Sequence, residues 1–271
     1  MVKVPVHFHW IEAALSALGK FVFFHPRFFL TFIGVSWGVI TAACVPASWR
    51  RSVKIDFWRT LNQAALGGVP STLVTAILGG IGIVTQAVYW LGFAGMSQST
   101  GSVLSGILVK EIGPLLVGII LLGRSGSLIV ADLSSLSLSG QIKAFEAMGV
   151  DSFLQFMMPR TVALTLSSFT LGMLFSVIAL VTGYVACWAE NTATMPIWSF
   201  LYQVTSSIDP INYIAIPVKF LLTGFAVGIS STLTGLDVSV SENMTKVIPK
   251  GFTRGIVAIL ILNVAADVLI K

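Results

Sequence analysis

Four ionisable residues interrupt apolar stretches of this chain and are the strongest candidates for a functional site. They are Lys110, Glu111, Lys219 and Asp267. An ionisable side chain at membrane depth costs at least a few kcal/mol, so it is normally paired, solvated or functional. The pattern therefore predicts either a charge network that locks helices together or a site that contacts a polar lipid headgroup.

The composition indicates that lipid surrounds the elements that carry these residues. Hydrophobic residues make up 55% of the 271 positions and charged residues only 10%, with a mean hydropathy of +0.92. A soluble domain carries roughly a quarter charged residues. Inside a bilayer the backbone must satisfy its own hydrogen bonds, and apolar runs of about 20 residues favour helices over a barrel. The predicted fold class is an all-α integral membrane protein.

Five apolar runs are long enough to be transmembrane helices. They cover about 63–91, 103–126, 158–188, 211–234 and 252–270. The connecting segments with Lys and Arg alternate with segments that have none, and positive charge marks the cytoplasmic side. This alternation predicts a multi-pass protein with a cytoplasmic N-terminus and an external C-terminus.

The N-terminal region is predicted to lie at the membrane surface. Residues 10–24 read as a short amphipathic helix, and residues 28–47 are apolar but have basic residues on both flanks. Basic residues on both sides argue against crossing, so 28–47 is interpreted as an interfacial or re-entrant element, with a sixth span as the alternative. The predicted units are 1–60 and a five-span domain, 61–271, with a cytoplasmic coupling segment at 132–157.

The predicted topology places the four charged residues at similar depth. Lys110 and Lys219 each lie about 12 Å from the external start of their span by helical rise. Asp267 lies near the external end of the last span. All four therefore fall in the outer half of the membrane, where they could face one polar cavity.

Several kinds of chemistry are excluded by the sequence. The chain has no Walker A pattern and no Cys/His cluster, so neither ATP hydrolysis nor a metal or other cofactor is expected. The stretch Gly123-Arg124-Ser125-Gly126 resembles a serine-protease motif, but none of the five runs contains a histidine to act as base. We interpret Gly123, Arg124 and Gly126 as a helix-end packing motif. The basic residues adjoin apolar runs, so nucleic-acid binding is not expected.

A short cytoplasmic helix is predicted at 139–148, with Ser139 as its N-cap and Gly149 as its C-terminal stop. Ile142, Phe145 and Met148 share one face. Such a helix is either a solvated connector or an element that docks into a groove of a partner.

Motifs in fixed order over residues 50–271 resemble those of MlaE/YrbE-type permeases. They are Val109-Lys110-Glu111-Ile112-Gly113-Pro114, Gly123-Arg124-Ser125-Gly126, the run from Gln141 to Asp151, and Pro159-Arg160. Lys219 and the stretch Thr234-Gly235-Leu236-Asp237 extend the resemblance. The family usually has Arg at position 110 and an acidic residue at position 140, where this chain has Gly140.

The resemblance implies the membrane subunit of an ABC transporter that moves phospholipid or another hydrophobic lipid. It implies a homodimer in the inner membrane, two copies of an ATPase subunit, and an external ring of MCE proteins. It also implies that the 139–148 helix contacts the ATPase, through Gln141, Ile142, Phe145, Glu146, Met148 and Gly149. The chain itself is then not an enzyme. The alternative function is a non-transporting membrane scaffold that anchors partner proteins.

Overall fold

The computed structural model describes residues 30–95, 103–189, 196–238 and 244–270. These residues form helices joined by short turns, and no strand occurs in the described ranges. The helices are α1 (Leu30–Cys44), α2 (Arg51–Phe93), α3 (Leu104–Leu138), α4 (Gln141–Ala147), α5 (Phe153–Ala189), α6 (Ile197–Ser206), α7 (Asn212–Leu236) and α8 (Met244–Ile270).

Five of these helices, α2, α3, α5, α7 and α8, are long and apolar enough to cross a membrane. The five predicted spans are therefore confirmed, but four of them extend several residues further than predicted. Helix α2 begins at Arg51 rather than near 63, and α3 continues to Leu138 rather than ending near 126. Helix α5 begins at Phe153 rather than near 158, and α8 at Met244 rather than near 252. The additional turns of α2 and α3 carry polar and charged side chains, so a hydropathy profile does not include them in the span. Their sequence contains no residue that ends the helix.

Helix α2 packs along α5 through a stripe of small residues. Its buried positions recur every four residues and are Thr60, Ala64, Gly68, Thr72, Ala76, Gly80 and Val84. A Cβ built at Gly80 would lie 2.3 Å from the carbonyl oxygen of Ala179 on α5. Small side chains let the two backbones approach closely, which is how helices associate in lipid.

Helix α7 lies at the centre of the bundle, against α3, α5 and α8. Its buried side chains include several hydroxyls, and these donate to carbonyls of the preceding turn. Thr223 donates to the carbonyl of Lys219 at 2.8 Å, and Thr234 to that of Ser230 at 2.7 Å. These bonds satisfy polar groups inside the helix, so α7 can be buried without unpaired hydroxyls at those positions.

Helix α3 departs from regular α-helical geometry at two places. Residues Leu104–Ile112 and Leu122–Gly126 are π-helical, and ordinary α-helix separates and follows them. Such widened turns are rare in helices overall, but those that occur are often found at functional sites. Glu111 lies in the first π-helical segment and Arg124 in the second. Each segment therefore changes the direction in which its charged side chain projects from α3.

The short helix α1 precedes the five spans. Its described part, Leu30–Cys44, is shorter than the ~20 residues that a span needs, and the assignment of 28–47 as an interfacial or re-entrant element or a sixth span stays a prediction. The predicted amphipathic helix at 10–24 lies outside the described residues. Helix α2 passes through the boundary predicted between residues 60 and 61, and the division into those two units stays a prediction.

Candidate functional site

Three of the four predicted charged residues meet in one ion cluster between α3, α7 and α8. The Nζ atom of Lys219 lies 2.9 Å from Oε1 of Glu111 and also pairs with Oδ1 of Asp267. The same ammonium donates to the backbone carbonyl of Lys110 at 3.3 Å. We call Lys219, Glu111 and Asp267 the outer triad. The sequence offered a charge network as one alternative, and this geometry is such a network.

The burial of the outer triad is uneven. The Lys219 side chain is fully buried, whereas those of Glu111 and Asp267 are 40% and 34% exposed. A buried ammonium is stable only when its lost hydration is replaced by close anions and hydrogen bonds. Lys219 has both, so it holds the helices together, while the two carboxylates present their free oxygen atoms at the edge of the bundle.

Lys110 does not join the triad with its side chain. It lines a separate polar cavity of about 160 Å³ together with Asp209 and Asn212, which precede and begin α7. Asn212 donates to Asp209 at 3.4 Å, while the Oδ1 atom of Asn212 has no partner among the described residues. The predicted set of four is therefore divided into a structural triad and one lysine that faces a polar cavity.

A separate, apolar cavity lies on the α2 side of α3. It has a volume of about 440 Å³ and lies between the C-terminal part of α2 and the first turns of α3. Its walls are Gly82, Ile83, Gln86, Ala87, Trp90, Leu91, Val103, Leu104, Ile107 and Leu108. Leu108 and Lys110 are two residues apart and point to different sides of α3. Helix α3 therefore has an apolar cavity on its α2 side and the polar cavity of Lys110 on its α6–α7 side.

Asn263 on α8 extends the polar interior and was not predicted. Its Nδ2 atom donates to the carbonyl of Ile259 at 2.9 Å and to Thr223 of α7 at 3.4 Å. Asn263 lies one turn before Asp267, so the sequence does contain a signal, which is two polar residues on one face of an apolar helix.

A second ion cluster lies toward the opposite end of the bundle. Arg160 of α5 pairs through Nε with Asp56 of α2 at 3.2 Å and through Nη2 with Asp132 of α3 at 2.8 Å. Arg160 is only 7% exposed. It joins three helices as Lys219 does, and we call these residues the inner triad. Only Arg160 was singled out in the sequence, as the end of a motif.

The short helix α4 contacts the inner triad through aromatic rings. Phe145 packs edge-on against Phe156 of α5 at 5.7 Å between ring centroids. The guanidinium of Arg160 lies 5.8 Å from the centroid of the same Phe156 ring. Ile142 is also buried, so Ile142 and Phe145 anchor α4 to the bundle.

The remaining predicted coupling residues lie on the outside of α4. Gln141, Glu146 and Gly149 are exposed, and Met148 is 69% exposed, so Met148 does not share the buried face as predicted. Helix α4 is also shorter than predicted, because Ser139 bonds back to the carbonyl of Leu136 instead of capping it. Gly140 and Gly149 bound α4 with φ angles of +74° and +77°. The left-handed conformation favours glycine, which accounts for the presence of glycine at both positions.

The segment Gly123-Arg124-Ser125-Gly126 lies within α3, not at its end, which corrects the predicted position. Gly126 is buried, and a Cβ there would lie 2.8 Å from the hydroxyl of Ser231 on α7. Gly123 is exposed, and the guanidinium of Arg124 lies over Gly67 of α2. Gly126 thus packs helices together, whereas Arg124 is an exposed cation within a span.

A helical bundle with five candidate spans and ion clusters between them defines the class of protein, a multi-pass α-helical membrane protein. Comparison with known protein families then gives the family. The chain belongs to the family described as Permease MlaE, which matches residues 57–271.

Individual relatives are more distant. A probable ABC transporter permease protein of Rickettsia typhi is 26% identical over 65% of this chain and 68% of its own length. The Arabidopsis thaliana protein named trigalactosyldiacylglycerol 1, chloroplastic, is 31% identical over 44% of this chain and 37% of its own. A probable ABC transporter permease protein of Synechocystis is 27% identical over 41% of this chain and 43% of its own.

Proposed function

We propose that this chain is the membrane-spanning subunit of an ABC transporter that moves phospholipid or another hydrophobic lipid. The observation that carries the proposal is a pair of cavities along α3, an apolar one of about 440 Å³ on its α2 side and a polar one lined by Lys110 on its α6–α7 side. Buried acyl area supplies most of the affinity for a lipid, and a few polar groups orient it. Two relatives are named as a permease and after trigalactosyldiacylglycerol, which is a galactolipid. These names favour a lipid as the transported substrate.

In this proposal the cavities and the triad have different tasks. The acyl chains lie against the apolar walls formed by α2 and α3, and the negative headgroup extends around α3 to the Lys110 ammonium in the polar cavity. The outer triad fixes α3, α7 and α8 relative to each other. Its half-exposed carboxylates repel a headgroup phosphate, which directs the phosphate toward Lys110.

We further propose the partners that such a subunit requires. By the resemblance to MlaE-type permeases, two copies of a separate ATPase bind a homodimer of this chain. The exposed side of α4, with Gln141, Glu146 and Met148, is the proposed contact with the ATPase. An MCE-protein conduit receives or supplies the lipid on the external side of the inner membrane, with the C-terminus of this chain on that side.

Purification in mild detergent from the native membrane tests the proposal. We expect the chain to co-purify as a dimer with an ATPase and with bound phospholipid, identified by mass spectrometry. Changing Lys110→Ala should lower the bound phospholipid several-fold, whereas Lys246→Ala, an exposed lysine of α8, should leave it unchanged. A wild-type preparation without ATPase and without lipid would contradict the proposal.

A non-transporting scaffold is the second candidate function. The observation that favours it is the outer triad itself, whose one cation and two carboxylates neutralise each other in part without any ligand. A scaffold would retain its partners in the Lys110→Ala variant and would contain no bound lipid that depends on Lys110. The lipid measurement therefore separates the two candidates.

A further inference from the structure

A lateral groove between α2 and α3 contains three arginine side chains near the inner triad. Arg59 lies on α2, Arg124 on α3 and Arg160 on α5. The groove leads into a cavity of about 180 Å³ that Arg59, Gln63, Leu128 and Arg160 line with the two aspartates of the inner triad. This volume is several times the ~30 Å³ that one water molecule occupies in the liquid.

The carboxylates of the groove are already engaged. Asp56 and Asp132 both pair with Arg160. Among the described residues, Arg59 and Arg124 have no carboxylate partner. The inner triad has one negative charge in excess, because Arg160 pairs with two carboxylates, and Arg59 and Arg124 together outweigh it. The groove therefore has a net positive charge.

A third group in the groove also lacks an acceptor. Arg160 uses Nε and Nη2 for its two aspartates, but its buried Nη1 atom has no hydrogen-bond partner in the described structure. A buried donor without an acceptor is costly, and the cost is higher for a charged group. Since Arg160 lines the cavity, an acceptor oxygen that enters the cavity would be close to an unsatisfied donor.

Arg124 is held in the groove by the absence of a side chain on α2. A Cβ built at Gly67 would lie 2.6 Å from its Nη2 atom, so the guanidinium occupies space that glycine leaves open. Gly67 is roughly 12 Å further along α2 than Arg59, so the two cations bracket the groove from both ends. An exposed, unpaired arginine within a membrane span is a functional residue by default.

Apolar side chains border the same groove. Leu128 is 47% exposed and lines the cavity, and Leu66, which precedes Gly67 on α2, is 70% exposed. Guanidinium groups bind phosphate through paired N–H donors, and basic pockets between spans bind phospholipid headgroups. Free phosphate would use the arginines but not the leucines.

We infer that the groove between α2 and α3 binds the phosphate of a glycerophospholipid from the leaflet nearest the inner triad. Arg59 and Arg124 supply the charge, Arg160 supplies the unsatisfied donor, and the acyl chains lie along Leu66 and Leu128. Glu111 and Arg124 are roughly 20 Å apart along α3. The groove is therefore separate from the outer triad and from the proposed transport cavity, and its occupancy does not depend on transport.

Native mass spectrometry tests the inference with the full chain in mild detergent, and every variant also carries Lys110→Ala and Gly82→Leu so that the proposed transport cavity does not retain lipid. The two probes, phosphatidic acid and diacylglycerol, differ only in the phosphate. We expect one phosphatidic acid to be retained per chain and diacylglycerol to be lost. The double change Arg59→Ala with Arg124→Ala should weaken retention of phosphatidic acid at least about tenfold. The control Arg51→Ala removes an exposed arginine on the same helix outside the groove and should have no effect.

A second variant tests the geometry without changing the charge. Gly67→Ala adds a Cβ where the Arg124 guanidinium lies, and only the end of a flexible side chain must move. We expect normal folding and a several-fold loss of phosphatidic acid. Three results would overturn the inference: equal retention of diacylglycerol, equal loss in the Arg51→Ala control, or unchanged retention in both Gly67→Ala and the double variant. Displacement of the lipid by millimolar inorganic phosphate would show a site for free phosphate and would also overturn it.

Discussion

Lys219 of α7 and Glu111 of α3 form an ion pair of 2.9 Å in which the cation is fully buried and the carboxylate is 40% exposed. Asp267 of α8 pairs with the same ammonium from the other side. The buried lysine is therefore the shared partner of three helices, and the outer triad has a structural role whichever ligand binds nearby.

Removal of the shared cation should destabilise the bundle. Lys219→Met leaves two carboxylates close together without their ammonium, and breaking a buried pair in this way costs about 3–5 kcal/mol. We expect a large fall in melting temperature in detergent. Adding Glu111→Gln and Asp267→Asn to Lys219→Met should restore most of it. Equal melting temperatures for wild type and Lys219→Met would show that the triad does not hold the helices.

Filling the apolar cavity should displace lipid without unfolding the chain. Gly82 lines the cavity, and a Cβ there would meet no atom within 4 Å, so Gly82→Leu extends into open space. We expect less co-purified phospholipid at an unchanged melting temperature. Gly92→Leu is the matched control, since Gly92 also has nothing within 4 Å but does not line the cavity. The same lipid content in both variants would contradict the assigned role of the cavity.

Two adjacent glycines of α2 should respond in opposite ways to alanine. At Gly80 the new Cβ would lie 2.3 Å from the backbone oxygen of Ala179, and overpacking of this kind costs about 1–3 kcal/mol. At Gly79 the nearest atom is Cζ of Phe175 at 3.9 Å, and glycine to alanine in a helix gains roughly 0.5–1 kcal/mol. Melting curves should therefore separate Gly80→Ala from Gly79→Ala. A similar melting temperature for both would indicate that α2 and α5 are not in close contact.

Loosening α4 should separate ATP hydrolysis from transport. Phe145→Ala removes the ring that packs on Phe156, and Phe156 lies under Arg160 of the inner triad. We expect ATP hydrolysis by the purified complex to continue while lipid transfer per ATP falls. Lys143→Ala, an exposed change on the same helix, is the control. An unchanged ratio of transfer to hydrolysis in Phe145→Ala would remove α4 from the coupling path.

The sequence predicts the number of spans well because each is a long apolar run, and lipid leaves few alternatives for such a run. It predicts the ends of α2 and α3 poorly. The first turns of α2 and the last turns of α3 lie beyond the apolar runs, and the π-helical segments around Glu111 and Arg124 leave no mark in hydropathy.

The candidate site could be predicted only in part. Helical rise along the predicted spans placed Lys110, Lys219 and Asp267 in the outer half of the membrane. It could not tell which side chain points toward the triad and which toward a cavity. The inner triad was missed because Arg160 and Asp56 are separated by 104 positions. Such pairing follows from how α2 and α5 pack, which no local pattern contains.

The most direct test of the central claim is lipid transfer by the reconstituted complex. The chain and its co-purified ATPase are placed in liposomes that contain a fluorescent phospholipid, and transfer to an acceptor is followed with and without ATP. The account predicts ATP-dependent transfer that Lys110→Ala and Gly82→Leu reduce and Gly92→Leu does not. An active ATPase with no ATP-dependent transfer by the wild-type complex would contradict it.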